Sequence, residues 1–393
     1  MSGKTLPAGT RITLAFSART GIIAVTSGTR FREADTLLTT AGFSRREDGT
    51  STLATVDADA ARQALTALTG LAAGQNMTLI ASSRVWLGDT ADRIATALPG
   101  VWRSRIEVYA MPVWQQDLAE CLWDAGDLIG AVRNERIPFG AVLTDEHGTQ
   151  LLVVDAPGTD GKLMVGALAP NGLDGPFADD PAAPPSLTVP ADLALAAQAI
   201  TAALLPAHQE AVYQRRVQEV VDRLGHALSA EIARVLVRGS WPPHEGSGIS
   251  AAILGQLEHA HHEAMWDDFR SFLQHGSYLL EHLQKAGAPP RAAEQTVLPA
   301  LREALRHGRR VHSQRLDTVR RMRENDSTLA GTTYAQAAAR RTADARPALA
   351  TWLEHGPALV DLALRHPPVG GRPVTPRALP PAPPTGRHRG TTP

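Results

Sequence analysis

Residues 169–191 read APNGLDGPFADDPAAPPSLTVPA, with six prolines, three acids and no hydrophobic periodicity. A stretch that neither alternates like a strand nor repeats like a helix reads as a Pro/Asp-rich linker. It divides the 393 residues into an N-terminal part, 1–168, and a C-terminal part, 192–366, each long enough to bury its own core.

Upstream of the linker, strand and helix signals interleave. RITLAFSA alternates Ile12, Leu14 and Phe16 with small or polar neighbours, and GIIAVTSG (21–28) is a second strand. FREADTLLTTAG (31–42) has helical spacing and stops at Gly42. FSRREDGTSTLATV (43–56) reads as a hairpin turning at Asp48-Gly49, and Asp57 stands at the N-cap of an Ala-rich helix. Further strands are expected at 76–82, 103–111 and within 139–168, with one helix from Pro112 to Asn134. So many hairpins imply an α+β domain on a mixed, largely antiparallel sheet.

Downstream, the spacing is helical throughout. Val217, Val221, Leu224, Leu228, Ile232 and Val235 form one apolar stripe, and a second runs through Leu254, Leu257, His261, Met265, Phe272, Leu279 and Leu283. A third helix, 292–323, and two shorter ones, 333–346 and 348–365, complete an expected all-α helical bundle. From Pro367 to Pro393 the chain is Pro-rich with four Arg and no acid, the composition of a disordered basic tail.

Ala41-Gly42-Phe43, the Asp48-Gly49 hairpin and the helix after Asp57 resemble uncharacterised proteins of streptomycete-type, high-GC bacteria over residues 30–80. The resemblance implies no activity. It agrees with a composition in which only three of 39 basic residues are Lys.

Composition excludes several function classes. A net charge of −1 excludes a uniformly basic nucleic-acid coat. One cysteine, Cys121, excludes an intramolecular disulfide framework and multi-cysteine metal sites, and its apolar neighbours place it in a core. No apolar run reaches membrane-spanning length, and MSGKTLPAGTR lacks a signal-peptide core, so a cytoplasmic protein without membrane contact is expected. Gly3-Lys4-Thr5 lacks the strand and earlier glycine of a phosphate-binding loop, and neither Gly-x-Gly-x-x-Gly after a strand nor Gly-x-Ser-x-Gly occurs. No cofactor is expected.

Charge is segregated, with 15 basic and 21 acidic residues up to Pro190 and 24 basic and 19 acidic after it. Residues 302–323 concentrate it, holding eight Arg against Glu303 and Asp317. Leu301, Leu305, Leu316, Val319 and Met322 keep a core-facing side there, while Arg302, Arg306, Arg309, Arg310, Arg320 and Arg323 lie away from it. A basic helical face of this kind can track phosphates, which makes DNA or RNA a candidate partner, with the tail as a second contact. A solvated face rich in interhelix ion pairs is the plainer alternative, and no aromatic residue interleaves the run for base stacking. The helical seams suit a protein partner or a homo-oligomer. The leading expectation is thus a non-enzymatic interaction protein.

Two other classes compete. Glu258 and His261 form Glu-x-x-His, the pair that carboxylate-bridged metal bundles use, with His262 beside it; no second such pair exists. An enzyme with its site in the α+β domain would gather Arg133, Asp145, Glu146 or His147 in a pocket.

Overall fold

The computed structural model describes residues 9–159, 161–173, 177, 180–240, 248–287, 291, 294–325 and 331–368, with side chains omitted for parts of 234–262 and 319–338. The N-terminal half is α+β with mostly antiparallel sheets, and the C-terminal half is helical.

The N-terminal half holds two sheets rather than one. RITLAFS forms β1 (Arg11–Ser17), paired antiparallel with β2 (Gly21–Ser27), but the expected alternation breaks at Phe16, which is exposed while Ala15 is buried. Helix α1 (Phe31–Thr40) leads into the hairpin of β3 (Ser44–Arg45) and β4 (Ser51–Leu53), where Gly49 takes the positive φ of 84° that its turn requires. The Asp57 carboxylate accepts from the backbone N–H groups of Asp59 and Ala60, starting α2 (Ala58–Gly74) as its N-cap. Strand β5 (Thr78–Val85) then returns parallel to β1, giving the order β3-β4-β2-β1-β5. Ile12, Leu38 and Leu68 lie in the core that α1 and α2 make with this sheet.

The second sheet follows α3 (Leu87–Ala97), a helix the sequence reading does not separate from its surroundings. Its strands are β6 (Trp102–Val108), β8 (Phe139–Asp145), β9 (Gln150–Asp155), β10 (Lys162–Leu168) and β11 (Leu187–Pro190), with β7 (Leu122–Trp123) pairing the far end of β10. Ala141, Leu143, Leu151, Val153 and Val165 face α3, whereas Val142, Leu152, Val154 and Met164 face α4 (Pro112–Cys121) and α5 (Asp127–Asn134). Both faces are covered, which is why these strands read as unbroken apolar runs.

Three expectations are corrected here. The single helix over 112–134 is broken, because Leu122 and Trp123 extend to pair with β10, and Asp124 fixes the break. Its carboxylate is buried and accepts from the backbone N–H of Gly126, Ile129 and Ser186 and from the Ser186 hydroxyl. Cys121, the last residue of α4, is exposed, since Leu122 and Trp123 take the core positions. Residues 169–191 are not a free linker. They contain β11, and Leu173, Phe177 and Ala183 bury against Trp123. Pro190 fits because it ends β11, an edge strand.

The halves share a helix. Helix α6 (Leu193–Ala199) runs through a π-helical turn (Ile200–Leu204) into α7 (Leu205–Ser240). Ala196, Ala197, Ile200 and Leu204 belong to the sheet core, Ala211 and Val212 meet Trp123, and Tyr213, Val217 and Val220 enter the helical core. The expected boundary at 192 therefore falls inside the sheet domain's own packing. Helix α8 (Gly248–Ser271) passes through a second π turn (Phe272–Gly276) into α9 (Ser277–Lys285), and α10 (Glu294–Asn325) packs along α11 (Gly331–Arg365). The two shorter helices expected over 333–365 are one, with Pro347 and Pro357 inside it on its exposed side. The stripe on α7 is covered only in part. Val217 is buried, but Leu228, Ile232 and Val235 are more than half exposed and Val221 is partly so. From residue 369 on, the expected tail (367–393) lies outside the described residues, and no described helix is long and apolar enough to cross a membrane.

His208 sits at the junction of the halves, buried with its ring edge toward Trp123 at 5.9 Å and its Nε2 without a hydrogen-bond partner among the described residues. Burial pulls this imidazole down to about 4. Below an ordinary pKa near 6.5 the unfolded chain takes up a proton that the folded chain refuses, so stability falls as pH drops from about 6.5 to 4. The full loss is about 3 kcal/mol, reached near pH 4. Urea midpoints between pH 7.5 and 4.5 should fall steeply in the natural chain and less in His208→Leu. His282 and His312, lowered in the same way by burial, leave a residual slope.

Candidate nucleic-acid interface

Helix α10 owes its position to Leu301, Ala304, Leu305 and Val311, which are buried in the helical core. Its other side carries the arginines. Arg306, Arg309, Arg310 and Arg320 are exposed and Arg302 half-exposed, all on one helical face. From Arg302 to Arg320 this face extends about 27 Å. The side chain of Arg323 lies outside the described residues.

Local ion pairs only partly neutralise the face. Glu303 contacts both Arg306 and Arg310, the latter at 3.7 Å, and Asp317 pairs with Arg320 at 2.8 Å. Arg309 donates to the Ser277 hydroxyl at 2.7 Å, which ties the face to α9. Exposed pairs of this kind contribute about 0–1 kcal/mol each and exchange readily for a phosphate. Two carboxylates against five arginines leave the face cationic.

The register shifts past Val311. Leu316, expected on the core side, is 56% exposed, and Arg315 turns inward instead, its Nη1 buried without a hydrogen-bond partner among the described residues. The side chains of Val319 and Met322, also expected on the core side, lie outside the described residues.

Of the metal candidates, only the His261 side chain is among the described residues. His261 is half-buried with Nε2 3.7 Å from Oε2 of Glu231, while the side chains of Glu258 and His262 lie outside the described residues. No group of three metal-ligating side chains occurs among the described ones. Of the residues considered for an enzyme site, Arg133 lies on α5 and Asp145 is spent on a turn. Asp145 accepts from the backbone N–H of His147 and Thr149, and the His147 and Glu146 side chains are open to solvent. Between the sheets, a pocket of about 450 Å³ is lined by Arg84, Arg93, Asp155 and Lys162. Arg84 is committed there to structure, pairing with Asp155 at 2.9 Å and donating to the Thr159 carbonyl at 2.6 Å. No family model, curated protein or solved structure matches the chain.

Sequence reasoning misses the buried polar groups of the helical half. Arg341 lies over the Trp266 ring at 4.5 Å and pairs with Glu263 at 2.8 Å. Asp268, fully buried on α8, accepts from His226 Nδ1 at 2.7 Å with Arg223 at 3.7 Å, and burial raises its carboxyl above the usual range. These partners stand 42 to 78 residues apart, so no local pattern announces them.

Proposed function

We propose that the chain is a non-enzymatic interaction protein whose helical half presents the arginine face of α10 to the phosphates of DNA or RNA. One observation carries this reading: five of the six arginines singled out by spacing share an exposed face on a helix anchored by its opposite side. Phosphate contacts of this kind are sequence-independent and release counterions. The four arginines after Pro367 add a second, weaker contact. The uncovered apolar strip Val221, Leu228, Ile232 and Val235 on α7 supports assembly with a protein partner or a second copy through the same half.

Fluorescence anisotropy of labelled duplex DNA and single-stranded RNA across a salt series tests the reading. The full chain should bind saturably at low salt, with a log–log salt slope of about −3 to −5 from three to five phosphate contacts. A chain ending at His366 should keep most of that slope. Absence of binding at low salt would reduce the face to solvated surface.

A further inference from the structure

Helices α7, α8 and α11 enclose a groove of about 790 Å³ that the basic face of α10 does not use. Its floor is Met265, Trp266 and Phe269, and Leu349 and Leu353 form a wall. The space exists because α11 places small side chains, Ala343, Ala345 and Ala350, along it. The Trp266 ring is held from two sides, by the Arg341 guanidinium at 4.5 Å and by His312 stacked at 5.7 Å, so the floor is fixed.

The groove is polar only at its rim. Glu231 faces His261 at 3.7 Å and Glu354 faces His355 at 3.9 Å. Arg346 is different. It lines the groove from α11, is exposed, and has no ion pair or hydrogen bond among the described residues. A largely apolar cavity of several hundred Å³ with few polar groups is the form of a small-molecule site. Its unpartnered cation selects the ligand's charge.

We infer that this groove binds a small amphipathic organic anion. An aromatic or acyl body lies on Met265, Trp266 and Phe269, and a carboxylate or sulfonate head meets Arg346. The site is separate from α10, so its failure would leave the nucleic-acid reading standing, and the reverse.

The test uses the full chain and two probes that share an anilinonaphthalene body, 8-anilinonaphthalene-1-sulfonate and its uncharged counterpart N-phenyl-1-naphthylamine. The sulfonate should bind one per chain, show energy transfer from tryptophan, and be displaced by decanoate. It should bind about 10-fold more tightly than the uncharged probe, the usual scale of one charge-assisted contact. Arg346→Gln should erase that difference while leaving the uncharged probe unaffected. Ala350→Trp, which fills the groove from its exposed rim, should abolish both; Ala343→Trp does the same from a neighbouring position if the first variant does not fold. Sulfonate binding that does not saturate, or that survives both fillings, overturns the site. Equal affinity for the two probes overturns the anionic head. A dimer by light scattering that blocks the probe until diluted would show that a second copy fills the groove, and overturns the proposal as well.

Discussion

Trp352→Ala should destabilise the helical half by about 3–5 kcal/mol, the range for emptying a large buried aromatic site. Trp352 is fully buried on α11 and stacks on Phe272 with ring centroids 5.0 Å apart and planes within 4°. Phe272 and Gly276, four residues apart, meet the same indole, and a Cβ at Gly276 would stand 2.2 Å from it. The site cannot collapse onto the vacated volume without moving α8, α9 and α11 together, so most of the cavity cost should persist. Trp352 Nε1 is also buried without a hydrogen-bond partner among the described residues, a cost that the natural packing offsets. Trp352→Phe, which removes that nitrogen and keeps a ring, should therefore lose less than half as much. Gly276→Ala should cost about 1–3 kcal/mol through overpacking. Urea unfolding followed by circular dichroism measures all three. A loss below about 1 kcal/mol in Trp352→Ala would show that the indole does not organise this core.

Local chemistry announces the elements that local chemistry builds. Asp57 at an N-cap, Asp48-Gly49 at a turn and the apolar runs of β8 and β9 each state their own geometry, and the helical half follows from its spacing. What the sequence conceals is decided by partners far along the chain. Leu122 and Trp123 read as helix until β10 supplies a strand to pair with, and prolines hide β11 until it is seen as an edge. Pro347 reads as a break between two helices, yet it lies inside α11 on the exposed side, as Pro357 does. The arginine face was legible because it lies on one helix at regular spacing. The groove was not, since Glu231, Trp266 and Arg346 converge from three helices.

Charge reversal on α10 has the other large expected effect and tests the central claim most directly. Arg306, Arg309 and Arg310 occupy adjacent turns, and only Glu303 and Ser277 contact them among the pairs described above. Changing all three to Glu removes three phosphate contacts and adds three repulsions, while the buried side with Leu301, Leu305 and Val311 is untouched. The variant should fold with an unchanged circular dichroism spectrum. Its affinity for labelled duplex DNA and single-stranded RNA at low salt should fall about 100-fold or more, and its salt slope should shrink by about three. A folded variant that binds either nucleic acid as tightly as the natural chain, with the same salt slope, would contradict the assignment of this face.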